Sequence, residues 1–160
     1  SLVIYNPSYR QRAPFVELDA EEVRKSLMIT CYGGFLVGQA AAKRMLVAGG
    51  GSIQFTGASA SVKGYKLSAP FAMGKFGLRG LAQSMARELA PENIHVAHFI
   101  IDGGIDGDKL RSAIPGVAEA RGEDGLLQPD HIAEAYWQMH LQPRSAWSFE
   151  WDLRPFKEPF

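Results

Sequence analysis

Phe71-Ala72-Met73-Gly74-Lys75 begins a long helical pattern that follows a polar loop and a run with the composition of a buried strand. We predict this helix from Ala69 to Leu89, with Ser68 as its N-cap. Residues four apart in a helix lie one turn from each other on the same face, so Phe71 and Lys75 are predicted to project together. The segment therefore combines an aromatic ring and a cation at the start of a helix, directly after a strand and its loop.

Strands and helices alternate along the whole chain around this helix. Buried strands are predicted over Leu2–Tyr5, Ser52–Thr56, Ile94–Ile101 and Trp147–Leu153. The other helices are predicted from the N-cap Asp19 to Leu46 and from Gln128 to Leu141, with short helix and loop between Gly107 and Gly125. Strands that alternate with helices of this length form right-handed β-α-β units, so the predicted fold class is α/β with a parallel sheet.

The first long helix carries its own start and stop signals. Asp19 precedes the helix and Glu22 stands three residues later, which is the spacing of a capping box. Gly33-Gly34 in the middle cost about 1 kcal/mol per glycine relative to alanine, and we interpret the pair as a point of close packing against another backbone. Gly49-Gly50-Gly51 ends the helix.

Composition and charge exclude several classes of partner. The 160 residues are enough for one domain, and 17 Lys+Arg balance 17 Asp+Glu, so neither nucleic acid nor a membrane surface is an expected partner. No apolar run reaches the roughly 18 residues that a membrane span needs. Cys31 is alone and the histidines are scattered, so we expect no disulfide framework and no metal site. A single cysteine suits a reducing compartment, and we expect a cytoplasmic protein.

Several short patterns follow one another along the chain. They are Asn6 after the first strand, Phe55-Thr56-Gly57-Ala58-Ser59, Phe71 to Lys75, Ala86-Arg87-Glu88-Leu89, Asn93-Ile94-His95-Val96 and Asp102-Gly103. In this order and spacing the sequence resembles the second half of a short-chain dehydrogenase/reductase, and the resemblance covers nearly all of the 160 residues. It implies a Rossmann-like parallel sheet with flanking helices, and hydride transfer between NAD(P) and a small-molecule carbonyl or alcohol.

One pattern of that family is absent from this chain. The glycine-rich loop Gly-x-x-x-Gly-x-Gly, which holds the cofactor pyrophosphate at a helix N-terminus, is not found, and Gly49-Gly50-Gly51 has the reverse of its strand-turn-helix context. The chain also begins with Ser1, directly inside an apolar strand-like run. We therefore expect residues 1–160 to be the C-terminal portion of a single Rossmann domain whose N-terminal dinucleotide-binding half is missing. NAD or NADP is then expected in the full-length protein and not on this chain alone.

The resemblance also implies catalytic positions. Phe71 stands at the position of the family's active-site tyrosine, which transfers the proton, and Lys75 at that of the lysine that binds the ribose and lowers the tyrosine pKa. Phenylalanine cannot ionise, so the chain is an atypical member. For the serine that hydrogen-bonds the substrate oxygen we select Ser59, although a gapless alignment places Ala58 there and Ser61 lies two residues further on.

Further positions follow from the same alignment. Cofactor contacts are implied for Asn6, Lys75, Gly103 and Ile105, the last as a backbone contact to nicotinamide. The family's helix asparagine, which helps to hold a water relay, falls on Thr30. A threonine hydroxyl in a helix commonly bonds to the preceding turn, so we assign Thr30 no role.

The proton that Phe71 cannot carry requires another group if the protein is catalytic. Tyr65, in the loop before the helix, is preferred over Tyr32 on the first long helix, because loops on rigid scaffolds carry reactive residues. An exposed or interface aromatic is the competing interpretation of Tyr65. Asp102 and Asp106 flank the expected nicotinamide region as acid/base groups or substrate contacts, or else as turn-forming and helix-capping residues.

Three functions remain open for a chain of this kind. The first is an NAD(P)-dependent oxidoreductase with a non-standard or relocated proton donor, for which the retained Lys75 argues. The alternative is a catalytically inactive relative that binds a nucleotide or a partner, for which Phe71 and the lost helix asparagine argue. Gly74, Gly77 and Gly80 permit tight helix contacts, so we expect a homo-oligomer through the two long helices, and a purely structural subunit is a third hypothesis.

Overall fold

The sheet has four parallel strands in sequence order. In the computed structural model, which describes residues 1–159, the strands are β1 (Leu2–Tyr5), β2 (Gly51–Thr56), β3 (Ile94–Ile101) and β4 (Glu150–Leu153). Each strand pairs with the next in parallel register. The predicted α/β class with a parallel sheet is confirmed. Phe160, the last residue of the predicted domain, lies outside the described residues.

Helices cover both faces of this sheet. They are α1 (Ala20–Leu27), α2 (Gly33–Ala48), α3 (Ala69–Leu89), α4 (Asp108–Ala113), α5 (Val117–Arg121) and α6 (Pro129–His140). The bounds of α3 are those predicted. The last strand is shorter than predicted because Ser148 bonds through its N–H to the Gln142 side chain at 2.7 Å and Trp147 donates to the Gln142 carbonyl at 3.1 Å.

The first long helix is interrupted where it was predicted to be continuous. A π-helical turn (Met28–Tyr32) separates α1 from α2. The Tyr5 hydroxyl donates to the Ile29 carbonyl, and Thr30 Oγ1 accepts the Tyr9 N–H at 3.1 Å. Bonds from outside the helix compete with its own ladder here, which accounts for the wider turn. Thr30 was assigned no role, whereas its Oγ1 accepts the Tyr9 N–H and so anchors the loop after β1.

The cap that starts α1 is present, but the capping box is not. Asp19 accepts hydrogen bonds from the backbone N–H groups of Glu21 at 2.8 Å and Glu22 at 3.0 Å. The Glu22 carboxylate does not turn back to the cap, because it accepts the Tyr9 hydroxyl. The capping-box prediction is therefore wrong, since a tertiary contact has displaced the local one.

Asp19→Ala is expected to lower the free energy of unfolding by about 1 kcal/mol, because two N–H groups of α1 lose their acceptor. Urea denaturation measures the change. Asp19→Asn keeps the acceptor and is the matched control. An asparagine variant that lost as much stability as the alanine variant would contradict the capping explanation.

The core lies on both faces of β3, whose residues are all buried. On one face Val96 packs in a cluster with Met45 of α2 and Leu78 of α3. On the other face Phe99 stacks on Tyr136 of α6, with ring centroids 3.8 Å apart. The sheet is thus the middle of three layers, as expected for a parallel sheet.

Gly33 and Gly34 lie where α2 comes closest to the sheet and to α3. A Cβ atom on Gly33 would overlap the Tyr5 hydroxyl, and one on Gly34 would overlap the Leu78 side chain. The predicted close packing is confirmed, although the neighbours are side chains rather than backbone.

Candidate active site

A cavity of about 950 Å³ opens at the carboxyl ends of β1, β2 and β3. Ligands of open parallel sheets bind outside the carboxyl ends of the strands. The residues selected from the sequence for catalysis and cofactor contact all line this cavity: Asn6, Ser59, Tyr65, Phe71, Lys75, Gly103 and Ile105. Because segments far apart in sequence converge here, this cavity is the candidate active site.

Lys75 is buried in the wall of this cavity, with 2 % of its surface exposed. Its Nζ donates to the Thr56 carbonyl at 2.6 Å. Burial lowers the pKa of Lys75 to about 8, because removal from water disfavours the charged ammonium. A solvated helix lysine would show neither feature. The site therefore contains an ammonium whose pKa lies close to the pH at which proton transfer is useful.

The Phe71 ring lies close to two cations. Lys75 Nζ is 5.7 Å from the ring centroid, and Arg10 Cζ is 5.3 Å from it. The quadrupole of an aromatic ring attracts cations within about 6 Å of its face. The predicted juxtaposition of Phe71 and Lys75 is confirmed. Phe71 offers no hydroxyl, so its ring supplies a cation-binding surface where the resemblance implies a proton donor.

The loop after β2 holds the three candidates for the serine position. Ser59 is half-buried and lines the cavity beside Ala58, which offers only a methyl group. Ser61 is fully buried, and its Oγ accepts the Ala58 N–H at 3.1 Å. The Ser61 hydroxyl is thus engaged in a hydrogen bond inside the protein. Of the three positions, only Ser59 presents a hydroxyl in the lining of the cavity.

A hydrogen-bonded series of polar side chains, buried at Ser61 and His98 and half-buried at Glu150 and Arg79, supports this loop. It was not anticipated from the sequence. Ser61 Oγ lies 3.3 Å from His98 Nε2, and His98 Nδ1 lies 2.8 Å from Glu150 Oε2. Arg79 completes the series with bonds of 2.7 and 2.9 Å to the Glu150 carboxylate. Burial lowers the pKa of His98 to about 4, so the ring is neutral at pH 7. Its Nδ1–H then donates to Glu150, and its Nε2 accepts the Ser61 hydroxyl.

One feature of the sequence predicts this series of hydrogen-bonded side chains. His98 stands in the middle of the apolar run that forms β3, and all residues of β3 are buried. A buried imidazole needs hydrogen-bond partners, so a histidine in such a strand predicts polar side chains beside it.

The two alternative tyrosines differ in their relation to the cavity. Tyr65 lines it and is exposed, with Lys63 Nζ 5.6 Å from its ring centroid. Tyr32 does not line it, and stacks instead on Phe35 with ring centroids 5.9 Å apart. The preference for Tyr65 over Tyr32 therefore agrees with the geometry.

Asp102 and Asp106 are both engaged by arginines and do not line the cavity. Asp102 lies 3.2 Å from Arg154 Nη2, and Asp106 accepts two bonds from Arg111 at 2.6 and 3.0 Å. Hydrogen bonds from Arg111 lower the pKa of Asp106, which keeps it ionised at neutral pH. These contacts favour a structural role for both carboxylates over an acid/base role.

A second, more apolar cavity of about 410 Å³ adjoins the first and shares with it Asn6, Thr56, Ile101 and Ile105. Gly103, at the rim of the first, has φ +139, a conformation that favours glycine. A cavity with a buried ammonium beside a more apolar one fits the ribose and the flat ring of a nicotinamide nucleotide. The described residues thus suit that half of NAD(P), while no glycine-rich pyrophosphate loop occurs in residues 1–160.

The described part of the chain offers neither a metal site nor a membrane-spanning helix. Among residues 1–159, no group of three or more His, Cys, Asp or Glu side chains is arranged to hold a metal ion. None of the helices there combines the length and the apolar character that crossing a membrane requires. Cys31 is a free thiol, and burial raises its pKa, which disfavours the reactive thiolate.

Comparison with known proteins agrees with this geometry. The sequence model of the family described as short chain dehydrogenase matches residues 1–113, a range that includes Ser59, Phe71, Lys75 and Gly103. The 3alpha-hydroxysteroid dehydrogenase of Mediterraneibacter gnavus is 32% identical over 114 residues, which cover 71% of this chain and 45% of that protein. The trans-4-hydroxycyclohexanecarboxylate dehydrogenase of Sinomonas cyclohexanicum is 34% identical over 95 residues, which cover 59% of this chain and 36% of that protein.

A solved structure extends the likeness to nearly the whole chain. The crystal structure of a short-chain dehydrogenase from Rhodopseudomonas palustris matches with a TM-score of 0.79 and 42% identity, over 97% of this chain and 62% of that one. The chain spans about half the length of the curated relatives that it matches. The likeness therefore concerns only part of the length of those proteins.

Proposed function

The chain belongs to the short-chain dehydrogenase family, and from that premise we propose that the full-length protein is an NAD(P)-dependent oxidoreductase with a non-standard proton donor. The buried Lys75 carries the proposal, with its Nζ 2.6 Å from the Thr56 carbonyl and 5.7 Å from the centroid of the Phe71 ring. A buried ammonium is costly, and a single hydrogen bond to a carbonyl does not offset that cost. Its position in the cavity wall supports a cofactor ribose as the missing partner.

We propose that residues 1–160 are the C-terminal portion of one Rossmann-like domain, and that the full-length protein binds NAD or NADP. β1 lies at the edge of the described sheet, and curated relatives are about twice as long as their match to this chain. When bound, the cofactor supplies or accepts the hydride. Lys75, Asn6, Gly103 and Ile105 would hold its nicotinamide and ribose.

In the reductive direction a carbonyl carbon gains hydride and its oxygen gains a proton, which yields an alcohol. Ser59 would hold that oxygen by a hydrogen bond. The proton comes from a relocated donor, and Tyr65 and the Lys75 ammonium are the two groups of the cavity lining suited to that role. A small-molecule alcohol or ketone as substrate is supported by the names of two relatives, which are dehydrogenases of a hydroxysteroid and of a hydroxycyclohexanecarboxylate.

A cofactor-dependent assay tests the proposal. The full-length protein is incubated with NADH, NADPH or their oxidised forms and a panel of ketones, aldehydes and alcohols, and the nicotinamide absorbance is followed. Turnover with at least one pair is expected. The absence of both turnover and cofactor binding would remove the proposal.

A catalytically inactive protein that binds a nucleotide or a partner is the second candidate. The contacts of Phe71 and Thr30 favour this candidate. Arg10 lies over the Phe71 ring, and Thr30 accepts the Tyr9 N–H. The two residues at the family's tyrosine and asparagine positions therefore make other contacts. This candidate predicts NAD(P)H binding without turnover of any compound. Fluorescence titration with NADH, run beside the assay, separates the two candidates.

Phe71→Tyr is expected to raise turnover about tenfold or more, because it places a phenol beside the Lys75 ammonium, and a positioned general acid contributes at least that much. The steady-state rate constant is the measurement. Phe156→Tyr adds the same hydroxyl to an exposed position outside the long helices and is the control. An unchanged rate in a folded variant that binds NADH would show that the site does not depend on a donor at this position.

We also propose a homo-oligomer formed through α2 and α3. Exposed apolar side chains on these helices include Phe35, Leu36, Met73 and Phe76. Gly80 is exposed and open to a partner helix, whereas a Cβ atom on Gly74 would meet Thr30 and one on Gly77 would meet Cys31 within the chain. A monomer in light scattering of the full-length protein would contradict this proposal.

A further inference from the structure

The candidate active-site cavity is lined by cations and by no carboxylate. Its lining contains Arg10, Arg12, Lys66, Lys75 and Lys109 but neither an aspartate nor a glutamate. The chain as a whole has equal numbers, 17 Lys+Arg and 17 Asp+Glu. A cleft lined by one sign of charge between low-dielectric walls focuses the potential and attracts ligands of the opposite sign.

Most of these cations lack an acidic partner. Within residues 1–159, no ion pair is formed by Arg10, Arg12, Lys66 or Lys109. Arg111, on the same helix as Lys109, is in contrast paired with Asp106 at 2.6 Å. The positive charge that faces the cavity is therefore not neutralised by the described part of the protein.

The loop that carries Arg10 is held in place at the preceding residue. Tyr9 donates its N–H to Thr30 Oγ1 at 3.1 Å, and its carbonyl accepts the Ser26 hydroxyl at 2.9 Å. Its side-chain hydroxyl donates to the Glu22 carboxylate. A cation on a loop that is already ordered loses less conformational entropy when a ligand binds.

Two residues that depart from the family pattern, Thr30 and Phe71, help to position Arg10. Thr30, at the asparagine position, anchors Tyr9, and Phe71, at the tyrosine position, offers the ring over which the Arg10 guanidinium lies at 5.3 Å. Ser68, in the same lining, has a buried hydroxyl that lacks a hydrogen-bond partner among the described residues. A guanidinium and an unused hydroxyl thus line the same cavity as Lys75.

We infer that the substrate carries an oxyanion, a carboxylate or a phosphate, which Arg10 and Arg12 bind inside this cavity. The inference rests on the proposed function and names the substrate class for the same site. A guanidinium presents N–H groups in a planar fork that matches carboxylate and phosphate oxygens. Because the cavity contains no competing carboxylate, such a ligand meets attraction from every charged residue of the lining.

Isothermal titration of the full-length protein tests the inference without requiring turnover. The probes are cyclohexanecarboxylate, cyclohexyl phosphate and the neutral cyclohexanecarboxamide, each titrated with and without saturating NADH. At least one anion is expected to bind about tenfold or more tightly than the carboxamide, and the tighter anion identifies the group. Equal affinity for the carboxamide, or displacement of the anion by NADH, which would assign the cations to the cofactor phosphates, overturns the inference.

Variants locate the binding. Arg10→Gln and Arg12→Gln are each expected to weaken binding of the preferred anion about tenfold, whereas Arg24→Gln, an exposed position of α1 paired with Glu21, leaves it unchanged. Circular dichroism and urea denaturation confirm that the variants fold. Unchanged affinity in the folded Arg10→Gln and Arg12→Gln variants overturns the inference.

Failure of the inference and failure of the proposed function are distinguishable. If anion binding depends on Arg10 but no compound is turned over, the proposed function is contradicted and the anion site is supported. Turnover restricted to neutral compounds, without anion binding, leaves the proposed function and overturns the inference.

Discussion

Lys75→Met is expected to reduce cofactor-dependent turnover of the full-length protein about a hundredfold or more while making its fold more stable. The loss of turnover follows from removing the one buried ammonium in the cavity lining, which the proposal assigns to the ribose and to proton transfer. The gain in stability follows from removing a charge that burial disfavours. A residue that costs stability and is needed for turnover is the usual signature of a functional site.

The gain in stability has a magnitude that follows from the pKa. Burial lowers the Lys75 pKa from 10.5 to about 8, and each pKa unit corresponds to about 1.4 kcal/mol. After allowance for the lost hydrogen bond to Thr56, a net gain of about 2 kcal/mol is expected at pH 7. Urea denaturation measures it, and Lys43→Met, at an exposed position of α2, is the matched control.

The same pKa predicts how that gain depends on pH. Below pH 8 Lys75 is charged in both states, so its full penalty is present. Between about pH 8 and 10.5 the unfolded chain still binds the proton while the folded chain has lost it, so wild-type stability rises with pH. The difference between the wild type and Lys75→Met should therefore shrink over this window. A difference that stayed constant from pH 7 to 10 would show that the lysine is not buried as described.

His98→Gln is expected to remove a large part of the acid sensitivity of the fold. Burial lowers the His98 pKa from 6.5 to about 4. Between about pH 4 and pH 6.5 the histidine is protonated in the unfolded chain and neutral in the folded chain. The free energy of unfolding of the wild type therefore falls as the pH drops through this range. The whole shift corresponds to about 3 kcal/mol of unfolding free energy, and the glutamine variant should lose most of that pH dependence.

The measurement is the free energy of unfolding at pH 7 and at pH 4.5 for the wild type and the variant. His131→Gln changes an exposed histidine of α6 and should keep the wild-type slope. A wild type and a His98→Gln variant with equal slopes would contradict the buried neutral imidazole. Protonation of His98 Nε2 would also remove the acceptor of the Ser61 hydroxyl, and Ser61 anchors the loop of Ser59 through the Ala58 N–H.

The resemblance supplied six candidate positions, and the fold places all six in the lining of one cavity: Asn6, Ser59, Phe71, Lys75, Gly103 and Ile105. Three other candidates from the sequence, Tyr32, Asp102 and Asp106, do not line it. The alignment was ambiguous among Ala58, Ser59 and Ser61, and Ser59 was selected. The sequence could not show that the Ser61 hydroxyl is engaged behind the loop. Ser61 is engaged by His98, 37 residues away along the chain. The role of Thr30 was missed for the same reason, since its partner Tyr9 lies 21 residues away.

Local chemistry accounts for what could be predicted about this chain. The alternation of strands and helices, the Asp19 cap and the shared face of Phe71 and Lys75 depend on residues a few positions apart, so periodicity and spacing were sufficient to find them.

Burial and long-range contact account for the rest. The lowered pKa of Lys75, the guanidinium of Arg10 over Phe71 and the hydrogen-bonded series from Ser61 to Arg79 exist only when separate segments exclude water from one another. Desolvation and contacts across the fold depend on which segments become neighbours, and no local pattern contains that information. Only the tertiary structure shows that Phe71 and Thr30, which depart from the family pattern, contact Arg10 and Tyr9 beside the candidate active-site cavity.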